Sequence, residues 1–131
     1  MSELREKMTL HWEEIIRDLE EQYIQNPNDL TPLTKKIFAL TLLERFDEAL
    51  TLADEIIKKE KTAYNLVCKA EVYLKMEDKQ KALEICNEAL ELEPNNESAL
   101  RLKKKITKPE LNILLIVVII ILITMSLTFT L

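Results

Sequence analysis

The sequence predicts an all-α fold with one folded unit, and three observations carry that prediction. Glycine is absent from all 131 residues and proline occurs only 4 times, while Glu, Lys, Leu and Ala, which lose little on entering a helix, are abundant. Aromatic residues make up 5%, too few for a sheet protein built on aromatic and β-branched strands. Apolar residues also recur at helical spacing: Leu66, Ala70, Tyr73 and Leu74 fall at i, i+4, i+7 and i+8, and Ala82, Leu83, Cys86, Ala89 and Leu90 repeat the stripe.

The chain is long enough for one domain of roughly 100–150 residues with an appendage. The expected division is a helical domain over 1–106, a linker over 107–110 and a transmembrane helix over 111–131. From the N-terminus, Leu4, Met8, Trp12, Ile15, Ile16, Leu19 and Tyr23 form one stripe, predicting a helix that packs on the next hairpin. A second helix is expected with Thr31 as its cap and Pro32 as its first residue. Over 63–96 a hairpin is expected, with Ala70, Ala82 and Ala89 letting two antiparallel helices approach and Asp78 capping the second. After Asn96, Ala99, Leu102 and Ile106 form a narrow stripe among lysines, as in a polar helix that ends a stack.

Those residues carry a resemblance. Segment 63–96 resembles one tetratricopeptide repeat: Leu66, Ala70 and Tyr73 stand at its first-helix packing positions, Ala82, Cys86, Ala89 and Leu90 at its second, and Pro94 at its terminal proline. Segment 30–62 resembles it more loosely, through Phe46, Ala49, Ala53, Ile56 and Ile57. Lys69 and Glu77 depart from the pattern, standing where the family prefers a large apolar residue and a glycine, so a looser turn is expected at Glu77. The resemblance implies about two repeats, with the N-terminal helix as a degenerate half-repeat and a capping helix at the far end.

The last stretch reads differently. Eleven consecutive apolar residues run from Ile113 to Ile123, and 111–131 carries no charge. As a helix it would extend about 31 Å, against a hydrocarbon core of roughly 30 Å. Arg101, Lys103, Lys104, Lys105 and Lys108 precede it and nothing basic follows, so the positive-inside rule predicts a tail anchor with the folded unit in the cytosol and the lysines against a lipid bilayer. The plan is loosely similar to that of the mitochondrial fission adaptor family. That family usually keeps basic residues after its span, so the endoplasmic reticulum or plasma membrane is expected rather than the mitochondrial outer membrane.

Charge and composition exclude other functions. Residues 1–100 hold 13 basic and 22 acidic side chains, a net −9, so nucleic acid is not an expected partner. Without glycine, phosphate-cradling loops and strained nucleophile turns cannot take their usual form. His11 lacks the spacing that pairs two ligands on one helical face. Cys68 and Cys86 lack further ligands for zinc and are expected as free buried thiols. No enzyme activity, cofactor, metal or small-molecule substrate is therefore expected.

A binding surface remains. In the resembled family the first helices of the hairpins line a groove, which implies Thr34, Lys35, Phe38, Tyr64, Val67, Cys68, Glu71 and Lys75 as candidate contacts for a protein partner. The groove is either open or covered by the N-terminal helix, with Phe38 and Tyr64 packed beneath it. Some members clamp a terminal carboxylate with Lys, Asn and Arg; Thr34, Phe38, Cys68 and Glu71 stand at those positions, so that clamp is not carried over. The expected function is a membrane-anchored adaptor, the alternative a structural subunit of a membrane protein complex.

Overall fold

The computed structural model describes residues 1–109 and 112–130, and these form helices α1 (Ser2–Gln25), α2 (Thr31–Leu42), α3 (Phe46–Lys59), α4 (Ala63–Lys75), α5 (Lys79–Leu92), α6 (Glu97–Thr107) and α7 (Ile113–Phe129). The links from α2 to α3 and from α4 to α5 are only three residues long, so each pair doubles back as a hairpin. Helix α4 packs on α2 and α6 as well as on its neighbours in sequence, while α1 packs on α2. The result is two hairpins, α2–α3 and α4–α5, with α1 before them and α6 after.

Alanines set the spacing within the hairpins. Ala49 and Ala53 on α3, Ala70 on α4 and Ala82 and Ala89 on α5 are completely or almost completely buried, so backbones meet where larger side chains would hold them apart. Two cores result. One gathers Ile16, Leu33, Ile37, Leu40, Ile56 and Val72; the other gathers Leu66, Val67, Cys86, Ala99, Leu102 and Ile106. Helix α4 supplies both, Val72 entering the first and Leu66 and Val67 the second.

Capping explains where the helices start. Asp78 accepts from the Lys81 backbone N–H at 3.1 Å and Asn96 from that of Ala99 at 3.0 Å, satisfying donors the helix leaves open. At α2 the expectation shifts by one residue: Leu30 is the cap, Thr31 already belongs to the helix, and Asp29 accepts from the Thr31 N–H at 2.9 Å. Hydrogen bonding from the Thr31 side chain, and then from its backbone N–H, pulls the Asp29 carboxyl below its ordinary range.

Both tight turns close in the same way, despite lacking glycine. Glu44 (φ 58°) and Glu77 (φ 64°) occupy the left-handed region. The N–H of Arg45 reaches the Leu40 carbonyl and that of Asp78 reaches the Tyr73 carbonyl, each at 2.9 Å, while Glu44 and Glu77 donate to Thr41 and Leu74 at 3.0 Å. This is the Schellman pattern. The looser turn expected at Glu77 does not occur; glutamate adopts the backbone geometry that glycine would supply.

The first two turns of α1 project past the core. Only Ile16 and Leu19 of its stripe are buried, while Leu4 and Met8 are exposed. Farther along, Glu13 pairs with Arg45 at 2.9 Å, Glu20 with Lys36 at 2.6 Å, and the Lys59 ammonium donates to the Tyr23 hydroxyl at 2.6 Å.

The structure corrects the transmembrane expectation. Among the described residues no helix is long and apolar enough to cross a membrane. Helix α7 has 17 residues, which corresponds to about 25 Å, short of a hydrocarbon core of roughly 30 Å. Asn112 ends the apolar run at one side by capping the helix through its side chain, which accepts from the Leu114 N–H at 3.1 Å, and Thr130 stands at the other end. Glu110, Leu111 and Leu131, which complete the expected linker and span, lie outside the described residues. The expected tail anchor and placement at the endoplasmic reticulum or plasma membrane depend on such a span and find no support in the described helices. Within the described residues, α7 touches none of the other helices and every side chain on it is exposed.

Candidate functional site

Helices α2, α4 and α6 lie side by side, and the face they share is a groove of about 350 Å³. From α2 come Thr34, Ile37, Phe38, Thr41 and Leu42; from α4, Cys68, Glu71, Val72, Leu74 and Lys75; from α6, Ser98, Arg101, Leu102 and Lys105. Each helix lends positions three or four apart, the spacing that brings side chains onto one face. Val72 and Leu102 are floor residues shared with the cores, whereas Phe38 on the α2 wall is 58% exposed.

Of the expected contacts, Thr34, Phe38, Cys68, Glu71 and Lys75 come together here. Three do not. Val67 is 4% exposed and belongs to the core, so its assignment to the groove is corrected. Lys35 is exposed but is not a lining residue, and Tyr64, 57% exposed, also lies outside the lining, in reach of Thr34 and Cys68. Helix α1 contributes nothing to the lining, so the groove is open; Phe38 instead meets the Trp12 ring edge-on at 6.2 Å.

Reasoning from the sequence missed the α6 wall. In sequence Arg101 and Lys105 group with Lys103, Lys104 and Lys108 beside the apolar tail, yet in the fold they line the groove, while Lys103 approaches Cys86 and Lys108 is the C-cap of α6. A signal was present: Ser98, Arg101 and Lys105 are spaced by three and four, one face of the helix adjoining its buried stripe.

The groove's electrostatics are uneven. Helix walls deprive Glu71 of water and push its carboxyl upward, against the pull of Lys105 and Lys75. Burial, followed by the charge of Glu71, pushes the Cys68 thiol up to about 11, so it stays protonated near neutrality. Cys86 is fully buried, donates to the Ala99 carbonyl at 3.1 Å and is raised by the same loss of water; both cysteines are free. His11 lies exposed on α1 with its ring 6.0 Å from that of Trp12 and is not among the groove's lining residues.

Comparison with known proteins follows this geometry closely. The family model described as Tetratricopeptide repeat matches residues 63–96, the α4–α5 hairpin with its flanks. A thermophilic TPR protein of Thermus thermophilus superposes with a TM-score of 0.68 at 24% identity, covering 78% of this chain and 51% of its own, so this chain spans about half of that protein's length. The first TPR of Spaghetti, bound to the HSP90 peptide SRMEEVD, superposes with a TM-score of 0.61 at 19% identity, covering 75% of this chain and 79% of that one. Among curated proteins, none matches this chain in sequence. Residues 63–96 therefore match a tetratricopeptide repeat, and the chain shares the helical fold of solved tetratricopeptide proteins.

Proposed function

We propose that the protein is an adaptor that captures a segment of a protein partner in the groove between α2, α4 and α6. The observation that carries this reading is an open trough whose apolar residues, led by Phe38 and Leu42, stand exposed beside polar groups that would orient an occupant. Apolar side chains left largely solvated fit a surface that is buried on association. That the first TPR of Spaghetti, which shares this fold, was bound to an HSP90 peptide supports peptide capture as the reading.

Site-specific photo-crosslinking in the native cell tests the reading. A crosslinker at position 38 or 75 is expected to trap the same protein, and one at position 35 or 104, outside the lining, to trap it weakly or not at all. Phe38→Asp should abolish capture while leaving the helices intact. Even labelling from all four positions would refute the groove.

A second reading rests on α7. A charge-free helix exposed on every side suits a structural subunit of a larger protein assembly, where the helix would be covered permanently. A stoichiometric complex on a sizing column that persists with Phe38→Asp would favour it.

A further inference from the structure

The groove has a distribution of charge opposite to that of the molecule around it. The whole chain carries a net −5, and residues 1–100 alone carry −9. Yet the lining holds three cations, Lys75, Arg101 and Lys105, and one acid, Glu71. Several cations elsewhere are answered locally, Lys36 by Glu20, Arg45 by Glu13 and Glu48, Lys61 by Glu88 and Lys69 by Asp54, although others stand in solvent without an ion pair. None of the three groove cations forms such an ion pair among the described residues.

The two kinds of side chain are also sorted by wall. Phe38 and Leu42, one turn apart, present an apolar edge on α2, and Arg101 and Lys105, one turn apart, present a cationic edge on α6. Resting on the adaptor reading, we propose that the occupant is an amphipathic protein segment that sets an apolar pair against Phe38 and Leu42 and an acidic pair, spaced by about 6 Å, against Arg101 and Lys105. Acids three or four apart on a helix meet that spacing. Electrostatic complementarity of this kind sets orientation and rejects basic segments.

The chain's own apolar helix is a poor occupant. Helix α7 has no charged residue, so laying it in the groove would strip water from three cations and return no counter-charge.

The test uses the full-length chain, dispersed in a mild detergent, and three synthetic helical peptides read by fluorescence anisotropy. One carries a leucine stripe with a flanking row of glutamates; a second replaces the glutamates by lysines; a third keeps the glutamates and replaces the leucines by serine. The first should bind at least about tenfold more tightly than either of the others and weaken as salt rises from about 50 to about 300 mM. The double variant Arg101→Glu, Lys105→Glu should invert the preference towards the lysine peptide. Both positions are exposed, so circular dichroism should be unchanged.

Equal binding of the glutamate and lysine peptides would overturn the proposal, as would equal binding of the serine peptide, which would mean simple ion exchange. Failure of all three to bind would overturn it too. In each case the crosslinking pattern from positions 38 and 75 decides the adaptor reading separately.

Discussion

Glu44 and Glu77 hold a conformation that costs a residue with a Cβ about 1–2 kcal/mol. Glycine would remove that cost while adding some freedom to the unfolded chain, so Glu77→Gly should raise stability by about 0.5–1 kcal/mol, with Glu44→Gly similar. Urea midpoints check this, and Glu77→Ala, which keeps a Cβ, should show no such gain. Cys68 gives a second prediction at this scale. With its thiol held up at about 11 against an ordinary 9.0, alkylation at pH 8 should be about a hundredfold slower in the folded chain than in urea. The sign for stability follows: folding favours the protonated thiol, so its contribution is complete below pH 9 and is lost as pH rises towards about 11. A folded-state alkylation rate that levels off near pH 9 would contradict that environment.

At the level of helices, much of the fold was legible because alanine and the apolar stripes record which faces meet. Ala70, Ala82 and Ala89 marked the close approach of α4 and α5, and Asp78 marked the start of α5. Ala70→Leu should therefore cost about 1–3 kcal/mol by forcing that pair apart, measurable as a lower thermal midpoint. What periodicity could not show was position around the stack. Val67 and Cys68 are adjacent in sequence, and a rotation of about 100° per residue decides which enters the core and which the groove. Arg101 and Lys105 were read by their nearness in sequence to the apolar tail, whereas packing of Leu102 and Ile106 on α4 and α5 turns them towards the groove. The composition of α7 was legible, but its length was not, because Asn112 caps the helix instead of joining it.

For the molecule as a whole, two cores joined through α4 predict near one-dimensional behaviour, in which each hairpin depends chiefly on its neighbours. Val72→Ala should weaken the coupling: hydrogen exchange should become faster in α2 and α3 than in α5, where the parent chain protects both. Since α7 touches no other described helix, removing 110–131 should leave the unfolding free energy of the remaining stack, from urea titration, within about 0.5 kcal/mol of the parent. A larger drop would mean that the tail packs on the hairpins.

The isolation of α7 also has a mechanical consequence. Any load borne by that helix reaches the stack only along the chain, through α6, the terminal element and the bearer of Arg101 and Lys105. Tension would peel α6 first, and one wall of the trough with it, so pulling on the tail and gripping a partner draw on the same helix.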